Sequence, residues 1–194
     1  MKKSLIIIYL VFAFTHLKAQ VLNDTTYIYR SLASALENPD KVFRLNLSKK
    51  QYALFPEDIL KFKNLEELDL SKNKIKELPA GIGTLTHLKK LNMSMNKLEK
   101  LPTEIGNLKD LVYLGLNRNL IEELPPSIGD LENLEVLELW DNELSSIPDE
   151  IGNLKKLKML ELRGILFSQD DAARIDSLLP HTRVMMSPTC NCKF

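Results

Sequence analysis

The stretch LVYLGLNRNL IEELPPSIGD LENLEVLELW DNELSSIPDE, residues 111–150, contains almost the same pattern twice. Three leucines of its first half, at positions 111, 114 and 116, return in the second half at 134, 137 and 139. Asn119 returns as Asn142, and the Leu-Pro pair at 124–125 returns as Ile-Pro at 147–148. The two copies are 23 residues apart, and self-similarity at a fixed period of this size predicts a repeat architecture.

Copies of the same pattern continue on both sides of this stretch. They follow the consensus L-x-x-L-x-L-x-x-N-x-[IL]-x-x-L-P-x-x-I-G-x-L-x-x, and six copies fit within residues 42–167. The four interior copies share an asparagine at one position, namely Asn73, Asn96, Asn119 and Asn142. The first copy has Lys50 there and the last has Ile165, so any role of the asparagines is limited to the interior copies.

The residue pattern indicates the shape of each copy. Alternating leucines, as at Leu114 and Leu116, place their side chains on one face of a short strand. The proline lacks a backbone donor and stops the strand, and the glycine after isoleucine is expected to adopt a backbone conformation that other residues avoid. One unit cannot bury its leucines alone. We therefore expect stacked units that form a parallel sheet on one face of a curved solenoid.

This pattern resembles the leucine-rich repeat family, in the 23-residue form that carries the signature Leu-Pro-x-x-Ile-Gly. The resemblance covers residues 42–167 and is to an exported, bacterial-like member of the family. It implies an α/β repeat solenoid with the parallel sheet on its concave face. It also implies that the asparagine column forms a ladder of side-chain hydrogen bonds to neighbouring backbone turns. Such repeats mostly recognise proteins, so the resemblance implies an interaction module.

Both ends of the predicted solenoid need a cap, because an open end exposes its core. At the front, residues 20–41 form the predicted cap, with a short helix over 31–37. At the back, residues 168–194 form a cap helix and a tail. Ser168 has the position of the helix N-cap, and residues 183–186 are predicted to add a last strand. Helical caps are thus expected at both ends.

The first residues have the order of a secretory signal peptide. Two lysines precede an apolar run over 5–14, and a short polar stretch ends at Ala19. The run has 10 residues, whereas a membrane-spanning helix needs roughly 20. Residues 1–19 are therefore predicted to be a cleaved signal peptide rather than an uncleaved anchor, with no membrane span. The predicted localisation is export to the medium, the periplasm or the cell surface.

No set of residues predicts catalysis, a metal site or a cofactor. Lys+Arg and Asp+Glu balance at 26 each, so no basic field suggests binding to nucleic acid. His87 and His181 lie far apart in the chain, and His87 falls in a polar loop column, which favours a solvated position. Cys190 and Cys192 offer two ligands without a nearby histidine, which is not a metal site. A mixed or intermolecular disulfide stays open, because export implies an oxidising compartment.

The copies differ in the outward residues of their strands. The first three copies present mainly charged and small polar residues there, whereas the last three present Tyr113, Val136, Trp140 and Met159. Adjacent strands lie about 4.8 Å apart, so three of these residues are expected to form a continuous apolar strip, with Trp140 beside it. We predict a partner-binding site on the concave face, formed by Tyr113, Arg118, Val136, Glu138, Trp140, Asp141, Met159, Glu161 and Arg163.

Several functions are compatible with such a site. Trp, Tyr, Met and Arg with charged neighbours are typical of the centre of a protein interface, so a protein or peptide ligand is the first prediction. A cell-surface polysaccharide is the alternative, in which Trp140 and Tyr113 stack on sugar rings and nearby carboxylates accept from hydroxyls. Self-association into a homodimer through the same residues is a further alternative. The last alternative is that these exposed apolar residues have no functional role.

Overall fold

The computed structural model describes residues 25–188, and within them eight parallel strands follow one another in chain order in one sheet. The strands are β1 (Ile28–Tyr29), β2 (Arg44–Asn46), β3 (Glu67–Asp69), β4 (Lys90–Asn92), β5 (Tyr113–Gly115), β6 (Val136–Glu138), β7 (Met159–Leu162) and β8 (Arg183–Met186). Strands β2 to β7 belong to the six repeats, which we number coil 1 to coil 6. The predicted signal peptide and the tail with Cys190 and Cys192 lie outside the described residues.

The register of the sheet is the same from β2 to β7. The second residue of each strand is a leucine that pairs with its counterpart in the next coil, namely Leu45, Leu68, Leu91, Leu114, Leu137 and Leu160. All six are at most 1% exposed. Because successive side chains of a strand point to opposite faces, the residues on either side of each leucine point away from the core. The parallel sheet expected on one face of the solenoid is confirmed.

Coils 1 to 5 each return toward the next strand through a short 3-10 helix. These helices cover Glu57–Lys61, Ala80–Thr84, Thr103–Asn107, Pro126–Asp130 and Asp149–Asn153. The residue that precedes each of them is the repeat proline, in extended backbone conformation. Because proline fixes φ and has no N–H to leave unpaired, the return begins at the same place in each of these five coils.

The glycine of the Ile-Gly pair has a different role from the one expected. Among the described glycines only Gly164 has a positive φ, at 81°, so the glycines after isoleucine need no special backbone conformation. They need space instead. A Cβ on Gly106 would lie 2.6 Å from the carbonyl oxygen of Ser127, and one on Gly83 would lie 2.6 Å from that of Glu104. The glycine therefore lets the 3-10 helices of successive coils pack backbone against backbone.

The interior asparagines form the ladder of hydrogen bonds that the resemblance implies. Asn119 is 5% exposed, accepts from the N–H of Leu98 at 3.0 Å and donates to the carbonyls of Met93 and Leu116 at 3.1 and 2.7 Å. Equivalent bonds are made by Asn73, Asn96 and Asn142. Each asparagine thereby satisfies buried backbone groups of its own coil and of the coil before it.

Directly after its outward residues, every coil passes through a left-handed residue. The φ angle is between 53° and 59° at Lys49, Lys72, Met95, Arg118 and Asp141, and 81° at Gly164. A residue with a Cβ adopts this conformation at a cost of roughly 1 kcal/mol or more, which the stacking of the coils offsets. As a result, the chain leaves the sheet in the same direction in every coil.

At the N-terminal end, α1 (Leu32–Leu36) packs near the first coil through the fully buried Ala35. Strand β1 pairs with β2, with Ile28 beside Arg44 and Tyr29 beside Leu45. The sequence did not predict this strand, because two residues are too few to show an alternating pattern. Tyr29 is nevertheless buried and extends the column of inward leucines by one position.

At the C-terminal end, α2 (Gln169–Leu178) packs against the 3-10 helix of coil 5. The hydroxyl of its N-cap, Ser168, accepts from the N–H of Asp171 at 3.1 Å, as the sequence predicts. Ile175 is fully buried, and Arg174 donates to the carbonyl of Ile147 at 2.6 Å. Strand β8 then joins the sheet beside β7. Among residues 25–188, no helix has the length and apolar character to cross a membrane.

Candidate functional site

The outward residues of β5, β6 and β7 lie side by side on the concave face. Tyr113 pairs with Val136, and Val136 pairs with Met159, so the predicted apolar strip is continuous. All three side chains are half-buried. We use the name concave patch for this strip with the neighbouring residues that the sequence pointed to, namely Tyr113, Arg118, Val136, Glu138, Trp140, Asp141, Met159, Glu161 and Arg163.

The ring of Tyr113 lies along its own strand, over Gly115. A Cβ on Gly115 would be 2.6 Å from the Tyr113 Oη and 3.0 Å from its Cε1, so a larger residue would displace the ring. The hydroxyl donates to Oε2 of Glu138 on the next strand at 2.8 Å, and the Lys90 ammonium lies 5.3 Å from the ring centroid. Burial, reinforced by the bond to Glu138, raises the pKa of Tyr113 above its ordinary value of 10.0. The phenol is therefore protonated at neutral pH and held against the sheet.

Trp140 follows β6 on the same face as Val136 and Glu138. Its carbonyl accepts from the N–H of Arg118 at 2.9 Å, which continues the parallel ladder beyond the strand. The Arg118 guanidinium carbon lies 5.8 Å from the Trp140 ring centroid, in a cation–π contact. Its Nε is 4.0 Å from a carboxylate oxygen of Asp141. Trp140 is half-buried, whereas Arg118 and Asp141 are exposed.

Glu161 lies on the concave face, but only 3% of it is exposed. Arg163 covers it, with Nε donating to Oε1 and Nη2 donating to Oε2, both at 2.7 Å. The backbone N–H of Arg163 also donates to Oε1 at 3.1 Å. Burial acts to raise the pKa of Glu161, but the hydrogen bonds and charge of Arg163 outweigh it, and the pKa is lowered from its ordinary 4.5. The carboxylate is thus charged at neutral pH and already engaged.

Strand β8 adds two residues to this face that the sequence reasoning missed. Arg183 pairs with Met159, and Met185 pairs with Glu161. Each lies 24 residues after its partner instead of 23, so counting by the repeat period does not reach it. The signal that could have found them is the alternation within residues 183–186, whose other two side chains pack against the core.

The concave face of coils 1 to 3 has a different character. Arg44 and Glu67 form an ion pair at 2.8 Å, and the Asn46 amide donates to Asp69 at 3.1 Å. Asp69 also accepts from the N–H of Ser71 at 2.9 Å. The first four of these residues line a shallow depression of about 230 Å³. Its walls combine polar and apolar surface, and the buried Nε of Arg44 has no hydrogen-bond partner within residues 25–188.

The groups that could carry chemistry do not converge. His87 lies 3.8 Å from Asp110, with at least half of each side chain exposed, as expected for a solvated loop position. Glu66 is paired with Lys89 at 3.0 Å. No cluster of three or more His, Cys, Asp or Glu side chains within residues 25–188 is placed to hold a metal ion.

Two family models match the chain. The one described as "Leucine-rich repeat region" matches residues 103–178, and the one described as "Leucine rich repeat" matches residues 63–121. The two matches overlap and run from the start of coil 2 to the end of α2. The chain belongs to the leucine-rich repeat family. Among curated proteins, no sequence matches it.

Solved leucine-rich repeat structures are similar to this one. A leucine-rich repeat protein of Leptospira interrogans is 33% identical with a TM-score of 0.66, and the match covers 85% of this chain and 49% of that one. The ectodomain of the Arabidopsis thaliana membrane receptor kinase GASSHO1/SCHENGEN3, in complex with Casparian Strip Integrity Factor 2, is 34% identical with a TM-score of 0.55, over 70% of this chain and 16% of that one. An internalin from Listeria monocytogenes is 19% identical with a TM-score of 0.56, and the match covers 84% of this chain and 54% of that one. This similarity shows the fold alone.

The family has a characteristic general function. Leucine-rich repeat domains generally mediate protein–protein interactions and are typically non-enzymatic, and nothing in the described residues points to catalysis. The present chain spans about half the length of the Leptospira protein, with 49% of that chain covered. Any specific partner therefore has to be argued from the outward residues of this chain.

Proposed function

We propose that this protein is a non-enzymatic interaction module that binds a protein or peptide on the concave patch. The observation that carries the proposal is Trp140, a half-buried tryptophan at an outward position, with the Arg118 guanidinium over its ring at 5.8 Å. The counterparts of Trp140 in coils 1 to 4 are small polar residues, namely Ser48, Ser71, Ser94 and Asn117. The fold therefore has no need of a large side chain there.

The polar groups of the concave patch favour a buried interface. Burying a charge costs free energy unless it is paired and hydrogen-bonded. Glu161 is bound by Arg163 through two bonds of 2.7 Å, and Glu138 accepts from Tyr113 at 2.8 Å. A partner can therefore cover these groups without leaving either carboxylate without a donor, while it gains the apolar surface of the strip.

The dimensions of the patch suit an extended segment that crosses the strands. From β5 to β8 there are three strand spacings of about 4.8 Å each, or roughly 14 Å in total. An extended peptide rises about 3.3 Å per residue, so roughly four residues would reach from β5 to β8. Met185, beside Glu161, continues the apolar surface at its far end.

The test is affinity capture with the full chain as bait and its Trp140→Ala variant as comparison, on envelope and secreted fractions of the host. We expect the variant to melt as the wild type does and to bind the captured protein at least about thirtyfold more weakly, as for an interface hot spot. Tyr27→Ala is the matched control, because Tyr27 is an exposed aromatic residue, 42% accessible, outside the concave patch.

Three outcomes would contradict the proposal. If Trp140→Ala captures the same protein with wild-type affinity, the concave patch is not the binding site. If a glycan array shows Trp140-dependent binding and no protein is retained, the ligand is a polysaccharide. Unfolding of the Trp140→Ala variant would also count against it, because Trp140 would then be part of the core.

We further propose that the protein acts outside the cytoplasm. The support is the signal-like order of residues 1–19, together with the similarity of the repeats to a receptor ectodomain. N-terminal sequencing of the protein from its host is expected to begin at or near Gln20. A mature chain that begins at Met1 in the cytoplasmic fraction would contradict export.

A further inference from the structure

A second surface lies beside the concave face, on the flank where the chain leaves each strand. We name its part in coils 1 to 3 the basic flank, which consists of residues 49–54, 72–77 and 95–100. Exposed and buried residues alternate along it. In coil 2, Lys72, Lys74 and Lys76 are exposed. Asn73 and Ile75, which lie between them, are buried. The exposed side chains of each segment therefore project away from the core on the same side of the solenoid.

Positive charge is concentrated on the basic flank. Its three segments contain seven lysines and two glutamates, whereas basic and acidic residues balance at 26 each over the whole chain. All seven lysines are exposed, and their ammonium groups make no ion pair or hydrogen bond within residues 25–188. The corresponding segments of coils 4 and 5, residues 118–123 and 141–146, contain one arginine and four acidic residues. The positive charge is therefore local to coils 1 to 3. The seven lysines are Lys49, Lys50, Lys72, Lys74, Lys76, Lys97 and Lys100.

Exposed apolar side chains stand among these lysines. Leu54 in coil 1 is 80% exposed and Met95 in coil 3 is 36% exposed. Leu120, on the same flank of coil 4, is 40% exposed. Other coils carry polar residues at the position of Leu54, namely Glu77, Lys100, Glu123 and Ser146. The repeat therefore does not require an apolar side chain there, and the surface is amphipathic.

Leu54 also borders a recess between coils 1 and 2. The recess has a volume of about 360 Å³, and its lining consists of Leu54, Phe55, Glu57, Lys76, Glu77 and Pro79. Leu54, Phe55 and Pro79 offer apolar contacts, and Lys76 places a cation at the same site. The two carboxylates of the lining are outnumbered by the lysines of the basic flank around it.

These features together favour one kind of partner. A bilayer that contains anionic phospholipids offers phosphate groups to the lysines and hydrocarbon directly beneath them to leucine and methionine side chains. Clusters of roughly four to eight basic residues on an amphipathic surface are typical of binding to anionic lipids. A soluble acidic polymer would pair with the lysines but would leave Leu54 and the recess without a contact.

We propose that the basic flank docks this protein peripherally on an anionic phospholipid bilayer, with Leu54 and the recess at the depth of the headgroups. The same bilayer repels the acidic segments of coils 4 and 5, so the solenoid would stand on its N-terminal half. The concave patch, in coils 4 to 6, would stay free for a partner. Docking does not depend on the function proposed for that patch.

The test is cosedimentation with vesicles of phosphatidylcholine, either alone or with about 30 mol% phosphatidylglycerol. The protein is taken as its host processes it, and all variants are compared in that form. The charge variant combines Lys74→Glu and Lys97→Glu, at equivalent positions of neighbouring coils. The matched control combines Lys155→Glu and Lys156→Glu, which makes the same change in net charge at exposed residues before β7. Thermal melting verifies that every variant is folded.

We expect the wild type to bind the phosphatidylglycerol vesicles at least about tenfold more tightly than phosphatidylcholine alone, and to lose this preference in about 0.5 M sodium chloride. The charge variant should bind at least about tenfold more weakly than the wild type, and the matched control should bind as the wild type does. Lys74→Arg with Lys97→Arg should also bind normally, because both charges are kept. Leu54→Ser should weaken binding about fivefold through the loss of apolar contact.

Three results would overturn the proposal. The first is a wild type that binds both kinds of vesicle equally. The second is a charge variant that binds as the wild type does, or as the matched control does. The third is wild-type binding by Leu54→Ser, because lysines alone would then account for the attraction. Tight binding of poly-L-glutamate would in that case assign the flank to soluble acidic polymers. Trp140→Ala leaves the basic flank unchanged and should bind vesicles normally, which separates this test from that of the concave patch.

Discussion

Asn117 and Asn119 lie two residues apart in coil 4, yet they belong to two regions of the molecule under different constraints. Asn119 is 5% exposed and bonds to backbone groups of coils 3 and 4, as the equivalent asparagine does in the other interior coils. Asn117 is half-buried on the concave side and bonds to side chains, accepting from Ser94 at 2.6 Å and donating to Glu138 at 3.3 Å.

The comparison separates what the fold requires from what it leaves open. The inward positions must supply a leucine or an asparagine because the neighbouring coil presents an apolar surface or an unpaired backbone group at that place. The outward positions face solvent or a partner, so they tolerate serine, asparagine, tryptophan and arginine in turn. Changes to the inward layer should therefore alter stability, and changes to the concave face should alter binding.

The largest predicted effect is a loss of stability when the close contact between successive coils is disturbed. In Gly106→Ala the new Cβ would lie 2.6 Å from the Ser127 carbonyl, so two backbones must separate. We expect a loss of about 2–4 kcal/mol in the free energy of unfolding, measured by urea denaturation. The matched control is Gly152→Ala in coil 5, whose Cβ would meet Leu178 no closer than 3.3 Å and should cost less than about 1 kcal/mol.

The Gly152→Ala control also tests why the repeat needs this glycine. Equal losses in the two variants would mean that glycine is needed for its backbone conformation and not for the approach of the next coil. Neither glycine has a positive φ in the structure, so the explanation by space makes the two variants differ.

A smaller effect should distinguish the two asparagines directly. Asn119→Ala leaves the N–H of Leu98 and the carbonyls of Met93 and Leu116 without these partners, and we expect a loss of about 1–3 kcal/mol in thermal or urea unfolding. Asn117→Ala removes two side-chain bonds on the solvated side and should lose under about 1 kcal/mol. An unchanged melting curve for Asn119→Ala would show that the asparagine ladder does not stabilise the fold.

The smallest effect concerns Glu161, which lies on the outward face but is 3% exposed. Its pKa is lowered from 4.5, so its charged form stabilises the folded state above the unfolded pKa, and that stability is lost as pH falls through the folded pKa. Because 64% of the Arg163 side chain is exposed, solvent screens the pair. Glu161→Gln should therefore be less stable than wild type by up to about 1 kcal/mol at pH 7.

The pH dependence provides the check on that prediction. As the pH falls through the lowered pKa of Glu161, the wild type loses the same charge, so the difference between the two proteins should shrink toward zero as the urea titrations are extended to acid pH. Glu132→Gln is the control, since Glu132 is exposed and its ion pair with Lys109 is 3.7 Å long. A gap that stays constant from pH 7 down to the acid limit of folding would show that Glu161 stabilises by packing alone.

The solenoid could be predicted from the sequence because its core repeats at one period. Each inward position of the repeat carries the same kind of residue in several coils, so single exceptions such as Lys50 and Ile165 do not hide the pattern. Strand β1 was missed because it has two residues and precedes the first copy. The special backbone conformation predicted for the glycine of the Ile-Gly pair was also wrong. The glycine is needed because another coil approaches it closely, and this contact joins positions 21 residues apart, which the pattern of a single copy does not show.

The concave patch could be predicted only as a set of positions. Alternation identifies which residues face outward, and the register then confirms that Tyr113, Val136 and Met159 are neighbours. The sequence pattern does not show that the Tyr113 ring lies over Gly115 or that Arg163 covers Glu161, because both contacts depend on side-chain conformation. Whether the patch binds a partner stays a prediction.

The asparagine ladder has a consequence for how the length of this protein can change. Each bond of Asn119 to the preceding coil reaches a backbone group 21 or 26 residues earlier, so it depends on spacing and not on position in the chain. Duplication of one interior unit of 23 residues would reproduce every such bond and would move the C-terminal part of the concave face by one strand spacing, about 4.8 Å. An insertion of any other length would misalign an amide with its acceptor. Genetic change in this molecule is therefore easiest in whole coils, and each added coil lengthens the concave face without redesigning it.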